Sequence, residues 1–303
     1  MEIRQLEHFV AAVEHGTLRA AAEACHISQP GLSMSLHRLE RFLGVALFER
    51  RPRGVVPTPY GDALFRHARI VLAHLRHATG EIEALRGDGA SELRIGVGAS
   101  FMNRALARAV ARLLEARPGF SLHVEEGVAE DQIPRVAAGE LDLALGRFPS
   151  TAPHPDLVYE TLHRRELCAW VRAEHPLSRR RKRPRLADLV SHRWIVPTDA
   201  PQEIAGPIYR ELARRQISTR PTVQTNSVPF LKRLVLASDC VALLPEGAVA
   251  DEVADGLLVG LPLPGVDLRD EVGAAWRREL GAFPVLREIV AALKEELPEV
   301  GLD

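Results

Sequence analysis

The first 58 residues contain three stretches in which apolar residues recur at helical spacing. The apolar positions of the first and third stretches are Leu6, Phe9, Val10 and Val13, and Leu32, Leu36, Leu39 and Leu43. Steps of three and four residues place such side chains on one side of a helix. Between these stretches, residues 18–25 predict a short helix capped by Thr17, and Ser28 is suited to cap the third helix, with Pro30 tolerated in its first turn. Two helices joined by a short turn predict a helix-turn-helix.

The outward side of the third helix and the segment after it are candidates for contact with nucleic acid. The residues opposite the leucines are Pro30, Met34, His37 and Arg41, flanked by Ser33 and Arg38. Residues 48–56 then predict two short extended pieces around a basic turn, which is the form of a DNA-binding wing. The alternative is a small three-helix domain with a solvated basic loop. The formal net charge of the whole chain, −1, does not favour a nucleic-acid partner.

A heptad pattern follows the wing. Thr58 is a suitable N-cap and Pro59 a suitable first helical residue. The apolar positions then follow alternating steps of four and three residues and are Leu64, Ala68, Val71, Leu75, Ala78, Ile82 and Leu85. Such a pattern predicts a helix that pairs with the same helix of a second copy. The alternative is a helix buried in the core of its own domain. Residues 87–91, rich in small residues, predict a flexible hinge.

The chain from about residue 92 alternates predicted strands and helices. The strands are expected over 93–97, 122–125, 141–145, 167–171, 194–196, 223–225, 241–244 and 271–276, and the helices over 103–116, 133–138, 203–216, 229–237 and 285–297. This alternation predicts a parallel sheet with crossover helices. A small-molecule site in such a sheet lies at the carboxyl ends of the strands.

Five N-terminal motifs carry a family resemblance. They are Ala20-Ala21-Ala22-Glu23, Ser28-Gln29-Pro30-Gly31-Leu32-Ser33, Leu39-Glu40, Leu43-Gly44-Val45-Ala46-Leu47-Phe48-Glu49-Arg50 and Thr58-Pro59-Tyr60-Gly61. On these residues the chain resembles LysR-type transcriptional regulators. Two positions depart from the family pattern: Met34 stands where a basic residue is common, and Gly31 where alanine is common. The resemblance implies an α/β protein with an N-terminal all-α winged helix-turn-helix, a long linker helix and a two-lobed α/β effector domain resembling type 2 periplasmic binding proteins.

The resemblance also implies domains and partners. The expected domains are a winged DNA-binding domain over 1–58, a linker helix for dimerisation over 59–87 and an effector-binding domain over 88–303, with lobe I over about 92–161 and 266–303 and lobe II over about 162–265. The partners are double-stranded promoter DNA with an interrupted inverted repeat, a small-molecule effector and RNA polymerase. The expected assembly is a homodimer or homotetramer. The chain is expected to be neither an enzyme nor bound to a membrane.

Two sets of site residues follow. The DNA-binding residues are expected to be Gln29, Pro30, Ser33, His37 and Arg38 of the third helix, and Arg50 and Arg53 of the wing. The effector-binding residues are expected to be Ser100, Arg147, Thr198, Gln202 and Asn226, which follow the carboxyl ends of predicted strands. An arginine and a helix N-terminus together favour an anion, so a small organic acid is the expected effector. The alternative is that Arg147 pairs with a surface carboxylate and Ser100 only caps a helix.

Other chemical interpretations are weaker. Residues 96–101 begin like a dinucleotide fingerprint, but Phe101 replaces the third glycine, so no cofactor is expected. No metal site is expected, because Cys25-His26 lacks further ligands at zinc spacing. Cys168 and Cys240 are expected to be buried in strands, and the basic run 179–185 to be a solvated loop rather than a nucleic-acid patch. The three separated cysteines favour a reducing cytoplasm. Competing hypotheses are an enzyme or solute-binding protein of the same two-lobed fold, and an architectural DNA-binding protein.

Overall fold

We analysed a computed structural model of the chain. The structure describes residues 1–52, 54–86, 92–98, 101, 104–148, 154–179, 188–189, 191–197, 222–225, 227–261 and 269–297. Contacts divide the chain into two compact units. The first comprises Met1–Arg94, Arg117–His123 and Pro134–Asp142, and the second comprises Ile95–Ala116, Val124–Ile133 and Leu143–Asp303.

The winged domain has the predicted order of elements. Its elements are α1 (Ile3–His15), α2 (Leu18–Ala24), α3 (Gln29–Leu43), β1 (Phe48–Arg51) and β2 (Gly54–Pro57). The two strands pair antiparallel, with Phe48 opposite Pro57 and Arg51 opposite Gly54. The predicted helix-turn-helix with a two-stranded wing is therefore confirmed.

Local side-chain chemistry fixes the ends of these helices. The Thr17 hydroxyl accepts a hydrogen bond from the Ala20 N–H at 3.2 Å, and the Ser28 hydroxyl accepts one from the Gly31 N–H at 3.2 Å. Gly16 and Gly44 end α1 and α3 with φ angles of 66° and 73°, a conformation that favours glycine. Both predicted N-caps are confirmed.

The core of the winged domain uses most of the predicted apolar stripes. Its buried members include Leu6, Phe9, Ala12, Ala21, Ala22, Leu32, Leu36, Leu39 and Leu47. Leu43 departs from the prediction, because its side chain is 37% exposed. Since Gly44 ends α3 directly after Leu43, the chain turns away before this side chain can be covered.

The predicted heptad stripe lies on the long helix α4 (Pro59–Leu85), and its two halves have different surroundings. Leu64 and Ala68 pack against the core of the winged domain. Val71, Leu75 and Ile82 are exposed instead, by 47%, 38% and 58%. The expectation that one continuous stripe serves a partner helix is therefore wrong for the first turns, because α1–α3 supply a partner there. The Thr58 hydroxyl accepts the Gly61 N–H at 3.1 Å and caps α4 as predicted.

The remaining strands form one mixed sheet. They are β3 (Glu92–Val97), β4 (Ser121–Glu126), β5 (Leu143–Gly146), β6 (Leu157–Arg172), β7 (Trp194–Pro197), β8 (Val223–Thr225), β9 (Val241–Pro245), β10 (Leu258–Leu261) and β11 (Arg269–Arg277). Their order is β4-β3-β5-β11-β6-β9-β7-β8, with β10 also paired to β6. The pairs β3–β5, β7–β8 and β7–β9 are parallel, as predicted. In contrast, β11 pairs antiparallel with both β5 and β6, so the sheet is not purely parallel.

Two strand predictions need correction. Strand β6 has 16 residues and begins at Leu157, ten residues before its predicted start. Its first half pairs with β11 and its second half with β9 and β10. Strand β10 has no counterpart among the predictions. Pairing between segments distant in sequence extends one strand and creates the other, and apolar periodicity alone does not reveal such pairing.

Helices flank the strands much as predicted. They are α5 (Arg104–Ala116), α6 (Ala129–Ala137), α7 (Val228–Leu236), α8 (Ala250–Ala254) and α9 (Pro284–Glu296). Helix α5 packs against α9, where Arg112 pairs with Glu295 at 2.8 Å. The predicted helix over 203–216 lies outside the described residues. None of the helices in the described part of the chain is both long and apolar enough to span a bilayer.

Candidate functional site

Helix α3 presents the predicted DNA-binding residues on its accessible side. Gln29, Pro30, His37 and Arg38 are exposed, and Ser33 is partly exposed. Pro30, His37 and Arg38 lie opposite Leu32, Leu36 and Leu39, which the core covers completely or nearly so, and Ser33 lies at the edge of that surface. Gln29 is exposed at the start of the helix, although helical spacing places it on the same side as Leu36. In the wing, Arg50 is exposed within β1, and Arg53 lies outside the described residues.

Hydrogen bonds fix α3 relative to the elements around it. The imidazole Nδ1 of His8 in α1 lies 2.8 Å from the Ser35 hydroxyl. One carboxylate oxygen of Glu40 accepts the Leu47 N–H at 2.8 Å, and the other lies 3.2 Å from Nδ1 of His37. Glu40 therefore joins the last turn of α3 to the residue that precedes the wing and also orients an exposed imidazole.

The wing is held against the turn between α1 and α2. The Val55 N–H donates to the Gly16 carbonyl at 2.8 Å. Gly54, whose φ is 143°, packs so closely on that carbonyl that a Cβ would overlap the Gly16 oxygen. Only glycine satisfies both the backbone angle and the contact. The position of the exposed Arg50, opposite Val55 in the hairpin, is thereby fixed relative to α3.

A buried carboxylate that the sequence analysis missed holds the later turns of α4. Asp142 is fully buried. Its Oδ1 lies 2.9 Å from His77 Nε2 and 3.4 Å from Arg76 Nη2, and its Oδ2 accepts the Arg94 N–H at 2.8 Å. Burial opposes the charge, but the hydrogen bond from His77 and the nearby cations outweigh it, so the pKa of Asp142 lies below its ordinary value. The sequence feature that could have indicated this buried carboxylate is an aspartate within the otherwise apolar run 141–145.

A second ionic group connects α4 to α1 and to the segment before Asp142. Arg69 pairs with Glu14 of α1 at 3.6 Å and also with Glu140. Glu140 in turn accepts a hydrogen bond from Arg135 at 2.9 Å. Arg69 is only 15% exposed, so water screens these pairs less than ordinary surface pairs. Through Arg69, helix α4 is therefore held within its compact unit both by α1 and by the segment that contains Glu140.

Of the predicted effector residues, the structure describes one. Arg147 is partly buried and follows β5 directly. Ser100, Thr198, Gln202 and Asn226 lie outside the described residues. The strands that precede these positions are present: β3 runs parallel to β5, and β7 runs parallel to β8. The carboxyl ends of parallel neighbours lie at the same edge of a sheet, which is the edge used in the prediction.

The cysteines differ in part from their prediction. Cys168 lies in β6 and is only partly buried, whereas Cys240 is buried but precedes β9 by one residue. Cys25 is half-buried, and burial raises the pKa of its thiol. Within the described ranges, no group of three or more His, Cys, Asp or Glu side chains is arranged to hold a metal ion.

Comparisons with known proteins cover nearly the whole chain. A family model described as "Bacterial regulatory helix-turn-helix protein, lysR family" matches residues 3–62, and one described as "LysR substrate binding domain" matches residues 86–298. The SDS degradation transcriptional activation protein of a Pseudomonas species is 34% identical over 268 residues, covering 88% of this chain and 86% of that protein. The transcriptional regulator PcaQ of Agrobacterium fabrum is 27% identical over 303 residues, covering 99% and 96%.

Solved structures show the same fold. The full-length C199D variant of OxyR from Pseudomonas aeruginosa matches with a TM-score of 0.70 and 24% identity, covering 98% of this chain and 94% of that one. Full-length CbnR in complex with its target DNA matches with a TM-score of 0.65 and 23% identity, covering 98% and 100%. Both family models, the named regulators and the winged fold agree, and the chain belongs to the LysR family of transcriptional regulators, which are not enzymes.

Proposed function

We propose that this regulator binds promoter DNA through α3 and its wing, and that a small organic acid modulates this binding. The observation that carries the proposal is the accessible side of α3. It presents Ser33, His37 and Arg38 next to a wing that carries the exposed Arg50, and Gln29 is exposed at the start of the helix. In proteins of this type the second helix of the motif enters the major groove, while basic residues nearby contact phosphates. CbnR, a protein of similar fold, has been solved with its target DNA.

A salt titration tests the role of the wing. Each phosphate contact contributes about one unit to the slope of log affinity against log salt concentration. Replacing Arg53 or Arg50 by alanine should therefore weaken binding to all duplexes and flatten this slope by about one unit. Arg164→Ala is the matched control, because Arg164 is an exposed arginine of β6, outside the winged domain. An unchanged slope in both wing variants would place the wing away from the DNA.

We further propose that the exposed part of the α4 stripe pairs two copies of the chain. Val71, Leu75 and Ile82 are accessible in the single chain, although large apolar side chains usually find cover. A two-fold dimer would match an interrupted inverted repeat, and dimers would associate into a tetramer. RNA polymerase is a further proposed partner, and the cytoplasm is the proposed location.

A variant at the centre of the stripe tests the pairing. Leu75→Asp places a charge in the proposed interface, yet its site is already 38% exposed in the single chain, so the fold should persist. Light scattering should report a smaller assembly for Leu75→Asp. Arg66→Glu, at an exposed position on the opposite side of α4, should leave the assembly intact. An unchanged mass for Leu75→Asp would reject the pairing.

The effector proposal rests on residues at the carboxyl ends of the strands. Ser100, Arg147, Thr198, Gln202 and Asn226 remain the proposed contacts. A guanidinium binds a carboxylate with two parallel hydrogen bonds, which favours an organic acid. Calorimetric titration of carboxylates into the wild type and into Arg147→Ala tests this. Equal affinity in both proteins would exclude Arg147 from the site, and an uncharged effector would refute the acid.

A further inference from the structure

Two large apolar side chains of α3 are more than half exposed, Met34 and Phe42, and Met34 is the one in the N-terminal half of the helix, where helix-turn-helix proteins contact base edges. Met34 is 53% exposed and lies one turn after Pro30 and one turn before Arg38. Leu32, Leu36 and Leu39 already fill the core on the opposite side of the helix. Met34 therefore contributes little to folding, and its side chain is accessible to a partner.

The neighbours of Met34 restrict what that partner can be. The Arg38 guanidinium Nη2 lies 3.8 Å from the Met34 sulfur, because residues four apart share one side of a helix. Pro30, one turn earlier, is exposed as well and offers no N–H. The surface thus combines an apolar strip with an adjacent cation. Methionine is unbranched and polarizable, so it adapts to small apolar groups.

In the DNA major groove, one base edge carries an apolar group. Thymine presents its C5-methyl there, while guanine, adenine and cytosine present hydrogen-bonding groups. A thioether donates no hydrogen bond and cannot form the two-bond contact with guanine that arginine forms. We infer that Met34 recognises the C5-methyl of a 5-methylpyrimidine, thymine in ordinary DNA, at one position of each half-site. This inference rests on the proposed entry of α3 into the major groove.

Single-methyl substitutions in the DNA test the inference. The wild-type protein is first used to select duplexes from a randomised library, and each thymine of the selected site is then replaced by uracil in both half-sites. This replacement removes only the methyl group. At one position the affinity should fall about fourfold for each half-site, which is the effect of one buried methyl. At the same position, 5-methylcytosine should bind about fourfold more tightly than cytosine.

Protein variants then assign the effect to Met34. Met34→Ala should bind the thymine and uracil duplexes equally at that position, whereas Met34→Leu should retain the preference. Arg38→Gln is the matched control, because it should weaken both duplexes by the same factor. The inference is overturned if no thymine shows more than twofold discrimination against uracil, or if Met34→Ala keeps the wild-type ratio. A wild-type protein that selects no duplex would overturn the proposed DNA binding together with this inference.

Discussion

Removal of the buried Asp142 carboxylate should destabilise the protein more than any surface ion pair does. The side chain is fully buried and contacts His77, Arg76 and the Arg94 N–H at 2.9, 3.4 and 2.8 Å. Breaking such a buried pair from one side costs about 3–5 kcal/mol, because the remaining charges stay desolvated, and this is the expected loss for Asp142→Ala. Asp142→Asn should lose about 1.5–3 kcal/mol, since its amide oxygen still accepts the Arg94 N–H.

Urea denaturation followed by circular dichroism measures both losses. The control is Arg164→Gln, which removes a pair with Glu271 whose side chains are 71% and 55% exposed. That change should cost less than about 1 kcal/mol. The folded protein holds the pKa of Asp142 below its ordinary value of 3.8, so its contribution is present above that pH and is lost as the pH falls below it. The gap between wild type and Asp142→Asn should therefore narrow below about pH 4. A loss for Asp142→Ala no larger than that of the control would refute the role assigned to this cluster.

Three further predictions concern a histidine, a glycine and a helix cap. Burial lowers the pKa of His175 from 6.5, so the free energy of unfolding should decrease as the pH falls below 6.5. When the free energy of unfolding is measured against pH, His175→Asn should show a shallower decrease than the wild type. Gly54→Ala should lower both the melting temperature and the DNA affinity, because the new Cβ would overlap the Gly16 carbonyl. The control is Gly44→Ala, which also lies at positive φ but has open space around it, and this change should cost about 1 kcal/mol of stability. Ser28→Ala should destabilise α3 by about 1 kcal/mol in the same denaturation assay, while Ser28→Gly should cost only a few tenths.

The winged domain was predictable because its signals are local. Thr17 and Ser28 cap helices through atoms three residues away, and Gly16 and Gly44 end them through their own backbone angles. A short sequence window contains every group that such an interaction needs.

Features that depend on distant pairing were not predictable in the same way. Strand β6 extends to Leu157 because β11, about 110 residues later, supplies its hydrogen-bonding partner. The apolar stripe of α4 is divided because α1–α3 cover Ala68 but not Val71. Asp142 and His77 are 65 residues apart in sequence, and neither residue alone indicates the other. The exposure of most of the predicted residues on α3 follows from helical spacing, whereas their contacts with DNA and all five effector positions stay predictions.

The two ends of α4 contact different parts of the chain, and this limits where chimeric regulators of this kind can be joined. A chimera joined within 87–91 would keep Arg76 and His77 but replace Asp142 with a foreign residue, leaving both side chains without their buried carboxylate partner. A chimera joined before Pro59 would instead strip Leu64 from the core of the winged domain. Each of these two boundaries is therefore a costly exchange point. A junction inside the helix, between Leu72 and Arg76, preserves both of these sets of contacts. It does separate Arg69 from Glu140, so the incoming segment would need an acidic residue at the position of Glu140.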